Sequence, residues 1–257
     1  MEILDVRDID FTKLEILDVL SSEGSLYYDN KLFYKFYDGM ININNKEKKL
    51  MLLDEGNNNF NAIVPYVLIK NRLLTYGCAM KYVKGANSLI KYKKNDNYML
   101  LLYDVSSSLM RIHMDPRNIV VGDLHFNNIL VDKNMKHYFV DFDSCMIDNI
   151  PQDRLPNNLL TYIGNRGNFD FDVNCDTDRL CMILSFIRSL FDMDIDSIDM
   201  DAYDKISEQI STLKNLREYV VGIKNNVIGI PSLPYLHEII SLKDISGISK
   251  IRKFNNK

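Results

Sequence analysis

The chain has 257 residues, 46% of them hydrophobic and 26% charged, with a formal net charge of −4. That apolar share suffices for a buried core in one large domain or two lobes, and the slight acidity gives no electrostatic reason to expect nucleic-acid binding. No apolar run reaches the about 18–20 residues that a membrane-spanning helix needs, and Met1–Asp10 is acidic without a signal-peptide pattern, so a cytoplasmic protein with no membrane partner is expected.

In chain order, residues 1–18 mix acidic and apolar positions and lead into a first strand. Ile16–Leu20, Leu26–Tyr28 and Lys31–Tyr37 read as short strands, joined by turn chemistry at Ser21-Ser22-Glu23-Gly24-Ser25 and at Asp29-Asn30. Lys46–Glu55 is a predicted helix, ended by Gly56 and the run Asn57-Asn58-Asn59. Val64–Ile69 and Leu73–Val83 read as two more strands. Beyond Gly85 the pattern turns helical: Tyr98–His113 carries Leu101, Leu102, Val105, Leu109 and Ile112 on roughly one face. Cys175–Phe191 is a strongly apolar helix and Ala202–Val221 an amphipathic one, followed by a break at Ile230-Pro231-Ser232-Leu233-Pro234. The expected fold class is α+β. A small antiparallel β-rich lobe with one helix (residues 1–83) precedes a larger, mainly helical lobe (residues 84–257), with a cleft between them where ligand sites are favoured.

The stretch Gly122-Asp123-Leu124-His125-Phe126-Asn127-Asn128 is followed by apolar Ile129-Leu130-Val131, a polar turn at Asp132-Lys133-Asn134, and Tyr138-Phe139-Val140-Asp141-Phe142-Asp143. This reads as a β-hairpin with polar groups at both ends. Asn128 follows Asp123 by five residues and Asp141 follows Asn128 by thirteen. Phosphoryl transfer from ATP needs such a set: one carboxylate to orient an acceptor hydroxyl, an amide oxygen and a second carboxylate to hold Mg²⁺. Four cysteines (Cys78, Cys145, Cys175, Cys181) show neither metal-ligand spacing nor disulfide density, the pattern of reduced thiols. The basic Lys250-Ile251-Arg252-Lys253 reads as a solvated tail.

The Asp123–Asn128–Asp141 pattern resembles the catalytic loop and metal-binding motif of the protein-kinase-like superfamily. The resemblance spans about residues 16 to 195 and implies the bilobal kinase fold, with ATP and Mg²⁺ between the lobes. It assigns Asp123 to the acceptor hydroxyl, and Asn128 and Asp141 to the metal. Lys35 would bridge the α- and β-phosphates, held by a helix carboxylate: Glu47 first, Glu55 second. Gly24 and Ser25, with Ser21 and Ser22, would face the phosphates, although a single glycine equally makes an ordinary hairpin turn. Met80-Lys81-Tyr82 would be the hinge against the adenine edge, with Met80 and Tyr82 as cofactor contacts. Asp176 matches the aspartate that opens the apolar helix and braces the catalytic loop. His113, His125 and His137 read as packing or surface residues, with His125 able to line the phosphate side.

Two branches compete. Gly122-Asp123-Leu124-His125 looks like the motif of aminoglycoside- and choline-kinase-like enzymes, and Asp143 stands where protein kinases carry glycine. The 40-residue separation of Val83 and Asp123, and the 53 residues from Asp123 to Asp176, are closer to protein kinases. The expectation is a Mg²⁺/ATP-dependent kinase acting on Ser/Thr of a protein, with a small hydroxylated molecule as the alternative acceptor and a non-catalytic binding module as the third reading. Asp143, Asp148, Asp170 and Asp172 read as surface carboxylates, or would line the cleft for a cationic small-molecule acceptor. Gly122 in place of arginine removes the basic partner of an activation-loop phosphate, and Leu160-Thr161-Tyr162-Ile163-Gly164 occupies the stretch where an Ala-Pro-Glu motif would lie.

Overall fold

A computed structural model describes residues 1–17, 23–38, 43–55, 60–165, 173–208, 210–225 and 233–244. The first third of the chain forms a six-stranded sheet from β1 (Glu2–Asp5), β2 (Glu15–Ile16), β3 (Gly24–Tyr28), β4 (Leu32–Tyr37), β5 (Val67–Asn71) and β6 (Leu74–Lys81), ordered β1-β5-β6-β4-β3-β2. The sheet is mixed, which corrects the expected antiparallel one: β1 runs parallel to β5, with Glu2 opposite Val67. The other pairs are antiparallel. Hairpin turns impose antiparallel pairing, but β1 and β5 are separated by three strands and a helix, so nothing forces it there.

Helix α1 (Ile43–Glu55) buries Lys46, Lys49, Leu50 and Leu53, which recur at helical spacing on one face. The second sheet is β7 (Asn87–Ser88), β8 (Ile129–Val131) and β9 (His137–Phe139), in that order. Strands β8 and β9 are the predicted hairpin, with Ile129 opposite Phe139. Helices α2 (Tyr98–His113) and α4 (Cys175–Phe191) fall on the expected residues and supply the main apolar core together with Ile129, Val131, Phe139 and Phe142. All five apolar residues predicted on one face of α2 are buried.

The shorter α3 (Asn157–Gly164) covers the stretch Leu160–Gly164. The single helix expected over Ala202–Val221 is two: α5 (Met200–Ser207) and α6 (Ser211–Lys224). Ile210 takes an extended backbone, φ −136° and ψ 108°, and the Thr212 amide and hydroxyl both donate to Asp244, at 2.6 and 2.9 Å. That carboxylate starts a new helix where continuous amphipathic periodicity predicts none. A short α7 (Leu236–Ile239) packs on α2, α4 and α6. Among the described residues no helix is long and apolar enough to cross a membrane. Ser21, Ser22, Gly56, Asn57–Asn59, Asp170, Asp172 and the basic segment 250–253 lie outside the described residues.

Candidate active site

Strand alternation decides where Lys35 points. Phe33, Lys35 and Tyr37 share one face of β4 and Tyr34 and Phe36 the other. Phe33 and Tyr37 pack with Leu50, Ile63, Leu68, Cys78, Met80, Val83, Tyr138 and Val140, an apolar bed between the first sheet and β9. Lys35 is 4% exposed, and its Nζ lies 2.5 Å from Glu23, 2.5 Å from Asp141 and 3.0 Å from Asp143. Burial alone would lower the pKa of this ammonium. Asp143, Asp141 and Glu23 outweigh it and hold Lys35 charged, well above the usual lysine range.

Asp141 and Asp143 flank buried Phe142, whose ring stacks on Phe60 at 5.7 Å. Asp141 is left-handed, φ 67° and ψ 30°, a conformation a non-glycine residue holds only when its surroundings impose it. The kink turns the chain out of β9 and puts Asp141 and Asp143 on the same lysine, 106 and 108 residues away in sequence. Burial raises the Asp141 carboxyl against the pull of Lys35, and neighbouring Asp143 and Glu23 raise it further. Burial also acts on Asp143, but Lys35 and Lys46 prevail and hold it below the ordinary aspartate range. Glu23 follows Asp143: Lys35 and Lys46 overcome its burial and lower it.

The loop before β8 carries Asp123 and Asn128. The Asn128 amide nitrogen donates to the Asp123 carbonyl at 3.0 Å, which turns its side-chain oxygen the other way. The Val140 amide donates to the Asn128 carbonyl at 3.0 Å, so Asn128 is tied beside the start of the Asp141 turn. Asp123 is raised by burial, partly offset by His125 and Arg154. His125 Nδ1 accepts the Asn127 amide at 3.2 Å, leaving the proton on Nε2, 3.8 Å from Asp123.

The loop backbone is pinned from below. Asp178, fully buried, accepts the amides of Val121 at 2.7 Å and Gly122 at 2.9 Å, and pairs with His113 at 3.0 Å. Gly122 has φ 77°, and a Cβ there would stand 2.8 Å from the Gln152 Cβ, so the residue in place of arginine answers a backbone requirement. This corrects the assignment of Asp176 as brace and cap. Asn174 caps α4 in a capping box with Thr177, and Asp176 pairs with Arg179. Asp178 is one helical turn before the buried Cys181 and Met182, on the inward face.

Burial lowers His113, but Asp178 and Cys175 raise it further, up to about 9. A histidine raised in the folded state contributes its stability fully below its unfolded pKa of about 6.5 and loses it as the pH rises through its folded value. The difference in thermal midpoint between the natural protein and His113→Gln is therefore expected to be largest at about pH 6.5 and below and to narrow as the pH rises through about 9. A difference that is flat across this range would contradict the charged His113–Asp178 pair. His137 behaves oppositely: burial pushes it down to about 4, and it bonds Ser108 at 2.9 Å as a neutral core residue.

The structure does not bring Glu47 to Lys35. Glu47 bonds Lys70 at 2.6 Å and Thr75 at 2.5 Å, one position around α1 from the buried face, and the residue on that face is Lys46. Glu55, the second choice, ends α1. Gly24 lies opposite Tyr37 with φ 155°, and a Cβ there would stand 1.7 Å from the Phe36 carbonyl oxygen. Ser25 is exposed on β3. Met80 is buried in the apolar bed, whereas the Tyr82 amide donates to Lys31 at 3.1 Å and its ring lies 4.8 Å from Tyr28. Asp143 is sealed among lysines and Asp148 is exposed. Sequence reasoning missed Glu23, which lies in an apparent turn, along with Lys46, Asp178 and Arg154, whose Nε is 3.4 Å from Glu23.

No protein-family model matches the chain, and neither does any curated protein. Carboxylate oxygens of Glu23, Asp141 and Asp143 lie within 4.8 Å of one another. With the outward-turned Asn128 oxygen, Asp141 offers the hard oxygen donors that Mg²⁺ takes, and its side chain keeps 27% of its surface open. Lys35 stands beside Asp141 as a buried cation, at 2.5 Å. This donor set fits a hard divalent cation such as Mg²⁺.

Proposed function

We propose that the protein is a Mg²⁺/ATP-dependent phosphotransferase of the protein-kinase-like type, acting on a hydroxyl, with Ser/Thr of a protein as the first acceptor. One observation carries this: a buried strand lysine, Lys35, meets Asp141 at 2.5 Å across 106 residues, next to a loop that holds Asp123 and Asn128. The left-handed Asp141 and the Asp178-braced loop supply the rigidity such a site needs.

Asp123 orients the acceptor hydroxyl and takes its proton, and its raised pKa suits that work. Asn128 and Asp141 would hold Mg²⁺, which neutralises charge on the phosphates when bound. Lys35 fixes the phosphates by charge-assisted hydrogen bonds. The apolar bed of Phe33, Met80, Val83, Tyr138 and Val140 gives a purine a surface to pack on. A small hydroxylated acceptor is the second reading, favoured by the Gly122–His125 stretch, in which the His125 imidazole faces Asp123.

The test is transfer of label from γ-phosphate-labelled ATP in a host lysate, with the Asp123→Asn protein as control. Asp123-dependent label on protein bands supports the first acceptor class and label in the small-molecule fraction the second. No Asp123-dependent transfer, with Mg²⁺-ATP binding intact, would leave a nucleotide-binding module.

A further inference from the structure

The buried face of α1 presents a cation where the kinase resemblance calls for a carboxylate. Lys46 has no exposed surface, and its Nζ lies 3.0 Å from Glu23, 3.0 Å from Asp143, 3.0 Å from Asp153 and 2.8 Å from the Ser144 hydroxyl. Two ammonium groups, Lys35 and Lys46, thus converge on the same carboxylates, with the Tyr37 ring 6.0 and 5.4 Å from them. Two carboxylates bridge them: Glu23 Oε2 takes Lys35 at 2.5 Å and Lys46 at 3.0 Å, and Asp143 takes Lys46 at 3.0 Å and Lys35 at 3.0 Å on Oδ2 and Lys35 at 3.2 Å on Oδ1, so that it contacts Lys35 through both oxygens.

We infer that Lys46 is a positioning residue that sets Lys35 through Asp143. The two departures from the resemblance, a lysine on the inward face of α1 and an aspartate in place of the glycine after Phe142, are then one charge exchange. Either change alone leaves a buried charge badly placed. A carboxylate at position 46 would face Asp143, Glu23 and Asp153, and glycine at position 143 would remove one of the two carboxylates that bridge the lysines. Because Asp143 follows Asp141 within one tight turn, α1, the lysine and the proposed metal ligand are held as a unit. Lys49, which pairs with Asp153 at 3.0 Å, ties the next turn of α1 to the same segment.

The inference rests on the phosphotransferase reading, and calorimetric titration of Mg²⁺-ATP separates the two. Lys46→Met is expected to weaken binding by about tenfold or more, and Lys46→Arg to stay within about threefold of the natural protein. Lys46→Glu should bind worst, and Lys46→Glu with Asp143→Gly should recover several-fold over it, because one of the three carboxylates facing position 46 is then gone. A natural protein that binds while Lys46→Met and Lys46→Glu bind equally well overturns the inference alone, as does a double variant no better than Lys46→Glu. If Lys46→Met does not fold, Lys46→Arg and the double variant decide. A natural protein that binds no Mg²⁺-ATP overturns the phosphotransferase reading. Thermal unfolding of Lys46→Met, Asp143→Asn and their combination, without nucleotide, then judges the ion-pair unit: non-additive losses support it and additive losses overturn it.

Discussion

Asp123→Asn is expected to lower turnover by about 10²–10⁴-fold while Mg²⁺-ATP binds as in the natural protein. The amide keeps the size of the carboxylate but cannot take the acceptor's proton. The loop around it is secured elsewhere, by Asp178 on the Val121 and Gly122 amides and by Asn128 on the Asp123 carbonyl. None of those contacts uses the Asp123 carboxylate, so fold and nucleotide affinity should survive the substitution. Comparison of steady-state rates with calorimetric affinity checks both halves. Unchanged turnover would remove Asp123 from its role, and a parallel loss of binding would make it a structural residue.

Lys35→Met is expected to have the largest effect on stability, about 3–5 kcal/mol at neutral pH, and to abolish Mg²⁺-ATP binding. The substitution takes the cation from among Glu23, Asp141 and Asp143, whose carboxylates crowd within 4.8 Å of one another. Lys46 still compensates Glu23 and Asp143, but Asp141 loses its lysine. Without Lys35 the buried carboxylates rise in pKa, so the variant's deficit should shrink as the pH falls and they take up protons instead. Denaturant unfolding across the acidic range reads this directly. A deficit that grows toward acid would mean that the cluster is not held by charge pairing.

Periodicity carried much of the fold. α2, α4 and the β8–β9 hairpin are legible because their apolar residues recur at one period over their whole length. Strand β1 is not: its four residues, two exposed and two half-buried at the sheet edge, carry no alternation, and their partner β5 lies more than sixty residues on. The break between α5 and α6 depends on Asp244, a contact from far along the chain that no local window contains.

At the site, the structure brings Lys35 and Asp141 together and puts Asp123 and Asn128 on one loop, as the resemblance implies; the roles given to these four residues belong to the proposal. The errors are errors of helical phase. Glu47 was chosen by charge, whereas Lys46, Lys49, Leu50 and Leu53 mark the buried face and leave Glu47 outside it. Asp176 opens its helix, which is where the resemblance puts the brace, but Asn174 makes the cap and Asp178 shares the face of Cys181 and Met182. Glu23 had no such signal. Its neighbours read as a turn, and only the tertiary fold carries its carboxylate to Lys35.

The most direct measurement is calorimetric titration of Mg²⁺-ATP into the natural protein and into Asp141→Ala, with and without Mg²⁺. Saturable, Mg²⁺-dependent binding that is lost in Asp141→Ala is the expected result, because Asp141 and Asn128 would hold the metal beside Lys35. Equal binding by both proteins, or none by either, would contradict a phosphotransferase built on this cluster.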